Sequence, residues 1–76
     1  RRRVMRLGVD ALRAEFRLTP AEARVAVLLA DGASNANVAT ALSIRPATAR
    51  RHTEKVLTKL GIHRRSEVAA KVLRWD

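Results

Sequence analysis

Ser34-Asn35-Ala36-Asn37-Val38-Ala39-Thr40-Ala41-Leu42-Ser43-Ile44-Arg45-Pro46 is the stretch on which the reading of this chain turns. Ser34 is a hydroxyl residue of the kind that caps a helix start, and Val38, Ala39 and Leu42 follow at i, i+1 and i+4 on one face. Ser43-Ile44-Arg45 then separates this short helix from Pro46, whose fixed φ and missing N–H suit the first turn of another. The second helix is expected to run to about Leu60, where Gly61 can take the left-handed conformation that ends helices. Two helices of these lengths across so short a turn have helix-turn-helix proportions.

The two faces of the 46–60 helix differ in kind. At about 100° per residue, Ala49, Thr53, Val56, Leu57 and Leu60 share an inward sector. Ala47, Arg50, Arg51, Glu54, Lys55 and Thr58 lie opposite. Between Arg45 and Arg65 there are seven basic residues against Glu54 alone. Basic residues on an amphipathic helix are usually a solvated face, but such a face has little reason to concentrate one sign so heavily. In helix-turn-helix motifs the second helix enters the major groove while the first braces it on the backbone.

Working outward, Thr19-Pro20-Ala21-Glu22 is a capping box with Pro at the first helical position. The helix it opens carries Val25, Leu28 and Leu29 on one face and should stop at Gly32. On the far side, Ser66 or a residue just before it starts a last helix with Val68, Ala69, Val72 and Leu73 as its apolar stripe. That stripe is either core closure or a dimer seam. Residues 1–17 carry six Arg against Asp10 and Glu15. Val9, Leu12 and Phe16 fall there at helical spacing, behind a disordered Arg1-Arg2-Arg3 arm. The domain is therefore read as all-α, a four-helix unit over residues 18–76, with residues 1–17 a basic linker or an extra amphipathic helix.

Composition narrows the function. Sixteen Lys plus Arg against seven Asp plus Glu give a net charge of +9 over 76 residues. A chain this small buries only about 60% of its unfolded surface, so a deep enzymatic cleft is not expected. Cysteine is absent, which removes disulfide frameworks, thiolate nucleophiles and cysteine-based zinc fingers. His52 and His63 stand eleven apart with no carboxylate at ligand spacing, so neither a metal nor another cofactor is expected. No phosphate loop, paired carboxylates or activated nucleophile can be assembled, which argues against an enzyme. No apolar run approaches the ~20 residues that span a bilayer, and no signal peptide is evident. A cytoplasmic, nucleoid-associated protein is expected, and the opening at Arg1 rather than Met points to a piece of a longer chain. Phe16 and Trp75 are too few to stack single-stranded bases, which leaves duplex DNA as the leading polyanion.

Across residues 18–67 the pattern resembles the DNA-binding domain of the LuxR/GerE family of bacterial transcription regulators. The residues that carry it are Leu18-Thr19-Pro20, Glu22, Val25, Leu28-Leu29-Ala30, Gly32, Ser34-Asn35, Val38-Ala39 and Leu42, then Ile44, Pro46, Thr48, Arg50, His52, Val56, Lys59-Leu60-Gly61-Ile62 and Arg65. The resemblance implies a four-helix domain whose third helix reads the major groove and whose fourth often mediates dimerisation, usually behind a receiver or ligand-sensing domain. It also implies base contacts at Arg50, Arg51 and Glu54, and backbone contacts at Thr48, His52 and Lys59. Lys55, Thr19, Asn35 and Arg65 are further phosphate candidates from their positions. Arg suits guanine O6 and N7, and Glu can accept from cytosine N4. Glu54 could instead orient Arg50 or Arg51. Val68, Ala69, Val72 and Leu73 are the dimer candidates.

Three residues depart from the family pattern. Arg45 stands where Ser commonly caps the recognition helix. Asn37 replaces a frequent Glu, which should cost the reciprocal half of a capping box with Ser34. Ala49 replaces a frequent Val and thins the inward face. The partners expected are double-stranded DNA, a second copy of the chain and RNA polymerase, with no membrane. The competing readings are a sigma-factor region-four module acting through RNA polymerase, and a basic module for an acidic protein or anionic lipid surface.

Overall fold

The computed structural model describes residues 4–6 and 8–75. The elements are β1 (Val4–Arg6), α1 (Val9–Phe16), α2 (Pro20–Ala30), α3 (Asn35–Leu42), α4 (Pro46–Leu60), a 3-10 turn (Arg65–Glu67), α5 (Val68–Val72) and β2 (Leu73–Trp75). The expected all-α, four-helix domain is α2 to α5, and α1 is the additional N-terminal helix. The Arg1-Arg2-Arg3 arm lies outside the described residues. Among those residues no helix is long and apolar enough to cross a membrane.

The helix starts follow their side chains. Thr19 accepts the Glu22 N–H at 3.1 Å while the Glu22 carboxylate accepts the Thr19 N–H at 2.9 Å, the capping box in full. Ser34 and Asn37 form a second one, which corrects the expectation that Asn37 forfeits it. Its amide oxygen accepts the Ser34 N–H at 3.2 Å and the Ser34 hydroxyl at 2.8 Å, so Asn reaches back as Glu would. Each such cap contributes about 1 kcal/mol. Arg45 provides no side-chain cap to α4, leaving Pro46 alone to set that start.

The helix ends share one device. After α1, α2, α3 and α4, a residue with positive φ turns the chain: Arg17 (56°), Gly32 (87°), Ser43 (55°) and Gly61 (72°). The next amide then reaches back across the last turn: Leu18 to Arg13 O, Ala33 to Leu28 O, Ile44 to Ala39 O and Ile62 to Leu57 O, at 2.9–3.2 Å. These are Schellman-type ends, which need a left-handed residue followed by an apolar one that folds back on the helix. Gly32 and Gly61 take the left-handed conformation without a Cβ penalty, whereas Arg17 and Ser43 hold it at about 1–2 kcal/mol each. Ser43→Gly is therefore expected to raise stability by roughly 0.5–1 kcal/mol, net of the extra freedom glycine has in the unfolded chain. Urea unfolding of the two proteins measures this.

α2 is the central helix, packed against α1, α4 and α5, while α3 rests mainly on α4. Fully enclosed side chains come from every layer: Leu12 of α1, Val25 of α2, Val38 of α3, Val56 of α4, and Val68 and Val72 of α5. The inward stripe of α4 is Ala49, Thr53, Val56 and Leu60, with Leu57 half-buried at its margin. Thr53 is polar yet 5% exposed, because its hydroxyl donates to Ala49 O at 2.9 Å one turn back.

Two expectations for the C-terminal end change. The last helix opens with a 3-10 turn and ends at Val72, so Leu73 continues as β2 rather than as part of a helical stripe. β2 pairs antiparallel with β1, Val4 opposite Trp75 and Arg6 opposite Leu73. Val68 and Val72 are wholly buried within the chain, which makes them core closure; only half-buried Ala69 of the expected dimer stripe keeps surface on α5.

Candidate nucleic-acid interface

α4 presents its polar side to solvent because its apolar side is fixed on α2 and α3. Arg50, Arg51, Glu54, Lys55 and Thr58 are all exposed. Thr58 donates its hydroxyl to Glu54 O at 3.0 Å, a bond within the helix that leaves the Glu54 carboxylate untouched. Among the described residues that carboxylate makes no ion pair, so the pairing with Arg50 or Arg51 that the sequence allowed is not formed. Arg51, Glu54, Lys55 and Thr58 instead line an open groove of about 540 Å3 together with Thr19 at the start of α2. The exposed face of α4 and the positive end of α2 thus look into the same space.

Glu22 and Lys59 also line that groove. The Lys59 ammonium lies 2.6 Å from Glu22 Oε1, and the carboxylate is 4% exposed. The same ammonium donates to Arg17 O, the last carbonyl of the turn after α1, at 3.1 Å. Lys59, expected as a phosphate contact, is thus engaged within the domain. Its charge is already matched by a buried carboxylate, and two of its three N–H groups are used. Burial pushes the Glu22 carboxyl up, but the Lys59 ammonium and the Thr19 N–H outweigh it and hold the group below the ordinary carboxylate value. A carboxyl depressed in the folded state contributes stability above its unfolded pKa, and loses it as pH falls through the folded one. Wild-type stability should accordingly drop below about pH 4–5, near the ordinary glutamate value. Glu22→Gln should flatten that part of the profile, which denaturant midpoints measured across pH would reveal.

The remaining phosphate candidates fall into separate groups. Thr19 accepts through its hydroxyl oxygen, which leaves its O–H proton free to donate. Thr48 and His52 are half-buried on α4, outside the groove. His52 Nδ1 is enclosed with no hydrogen-bond partner among the described residues. Asn35 and Arg65, thirty residues apart, come together: the Arg65 guanidinium donates to Asn35 Oδ1 at 2.5 Å, which clips the loop before α5 to the first turn of α3. Beside that clip lies a second cavity of about 370 Å3, lined by Leu29, Ala33, Ser34, Arg65 and Ser66 among others. Among the described residues no group of His, Asp and Glu is placed to hold a metal ion.

This arrangement is a helix-turn-helix whose second helix offers an uncommitted, mostly cationic face. The family model for GerE, the bacterial regulatory proteins of the luxR family, matches residues 17–72 and so spans α2 to α5. No curated protein sequence and no solved structure gives a match. The family domain is a DNA-binding module of transcription regulators and is not typically enzymatic. With well over half of its residues inside the match and the helix-turn-helix in place, the chain belongs to the luxR family of bacterial regulatory proteins.

Proposed function

We propose that this domain binds double-stranded DNA sequence-specifically, as the output module of a transcription regulator, with α4 in the major groove. The observation that carries the reading is the exposed set Arg50, Arg51, Glu54 and Lys55 on the second helix of the motif, none of it tied up in an ion pair among the described residues. Arg50 and Arg51 read guanine, and Glu54, free of an arginine partner, accepts from cytosine N4. Thr19, Asn35, Thr48, His52, Lys55 and Arg65 hold phosphates and set the register. Two copies bind together, placing their α4 helices about 34 Å apart on a pseudo-palindrome. Dimer contacts on α5 involve Ala69 and the surface around it, since Val68 and Val72 face the core.

The test is a titration of the purified domain against duplex DNA, single-stranded DNA and anionic vesicles over a range of salt. Duplex binding whose logarithm falls linearly with log salt supports the reading. Vesicle binding no better than that of a scrambled basic peptide disposes of the membrane alternative. Binding seen only in the presence of RNA polymerase, never to free duplex, would favour the sigma-factor alternative instead.

A further inference from the structure

We propose that Lys59 is a positioning residue that sets the recognition helix against the amino end of α2, and is not itself a DNA contact. The inference rests on the DNA-binding reading for its functional consequence, and on geometry for its cause. A single ammonium joins three elements: its own helix α4, the carboxylate of Glu22 in the first turn of α2 at 2.6 Å, and the carbonyl of Arg17 closing α1 at 3.1 Å. The carboxylate oxygen it meets, Oε1, is the same one that accepts the Thr19 N–H at 2.9 Å. The capping box of α2 and the last turn of α4 are therefore tied through one atom. Thr19, Arg51, Glu54 and Lys55 line the same groove as the pair, which ties the α2 start to the α4 residues beside it.

The energetics favour this role over phosphate binding. For Lys59 to swing out to DNA it would leave behind a carboxylate with 4% exposure. An unpaired buried charge costs far more than a solvent-facing ion pair returns. Nor does the chain need the contact, because Lys55 lies one turn earlier, exposed and facing the groove.

The two roles predict opposite signs for Glu22→Gln. If Lys59 were a phosphate contact held back by Glu22, neutralising Glu22 would free it, strengthening DNA binding and steepening the salt dependence. As a positioning residue it predicts weaker binding to the preferred site, roughly fivefold or more, with binding to unrelated duplex and the salt slope unchanged. Lys59→Met should behave like Glu22→Gln, whereas Lys55→Met should lower the slope by about 0.9, the value of one phosphate contact. Measuring log K against log salt for these variants on preferred and unrelated duplexes decides between them. Tighter binding by Glu22→Gln, or a slope loss in Lys59→Met equal to that in Lys55→Met, overturns the proposal. Unfolding midpoints of the single variants and of Glu22→Gln/Lys59→Met supply an arm that does not depend on DNA. The double variant should lose less than the sum of the two singles, and strict additivity also overturns the proposal. If wild type binds no duplex at all, the DNA reading fails while the double variant still reports on the tie.

Discussion

Leu12→Ala is expected to lower the stability of the whole domain by about 2–5 kcal/mol, the range for truncating a leucine in a packed interior. Leu12 is wholly buried although it belongs to a helix that precedes the family match, which begins at residue 17. A chain of this length has a net stability of about 4–11 kcal/mol, so a loss of that size removes a large fraction of it and shifts the unfolding midpoint well outside measurement error. Were residues 1–17 only a linker, the substitution would be neutral. Val9, on the same helix and exposed, serves as the control: Val9→Ala should change stability by no more than about 0.5 kcal/mol. Thermal or urea unfolding of the three proteins, followed by circular dichroism, distinguishes the two cases. The outcome matters for function because α1 ends at Arg17, whose carbonyl is one of the groups held by Lys59.

Arg51→Ala carries the largest expected effect on binding. Arg51 is exposed on α4 and lines the groove beside Glu54 and Lys55. A bidentate arginine on guanine discriminates against other bases by about 1–3 kcal/mol. The preferred duplex should therefore bind roughly 5- to 150-fold more weakly, and one base position should lose its preference. Binding to unrelated duplex should fall only by the smaller amount due to one lost charge. Equal losses on preferred and unrelated sequences would make Arg51 a phosphate contact and shift base reading to Arg50 and Glu54.

What could be read in the sequence was what depends on neighbours along the chain. Thr19 and Glu22 sit three apart and announce their helix. Gly32 and Gly61 announce its end and that of α4, because glycine is the residue that turns left at no cost. The inward stripe of α4 follows from helical period alone, and its outward face is simply the complement. Arg17 and Ser43 do the same work as the two glycines, yet nothing in their chemistry favours positive φ. The available sign was indirect: an apolar residue, Leu18 or Ile44, directly after each. Asn37 does not announce its capping box, because the frequent partner in that position is Glu, although an amide oxygen accepts the same bond.

The contacts at the site that local sequence does not show lie far apart along the chain. Glu22 and Lys59 are 37 residues apart, and each had a sufficient local explanation, one as a cap and one as a cation on a basic helix. Only the packing of α4 on α2 brings them together. The pairing of β1 with β2 likewise joins the two ends of the chain, with no turn sequence to mark it. The spacing of Val68 and Val72 suits a dimer seam as well as a core, and only the packing of α5 on α2 buries them.

That α4 reads base sequence can be tested by selecting bound duplexes from a random pool with the purified domain. The expected result is a recovered motif rich in guanine and cytosine contacts for Arg50, Arg51 and Glu54, arranged as two half-sites about one helical turn apart. A pool that remains random after repeated rounds, while still binding in a salt-dependent way, would contradict it and reduce the cationic face of α4 to nonspecific attraction.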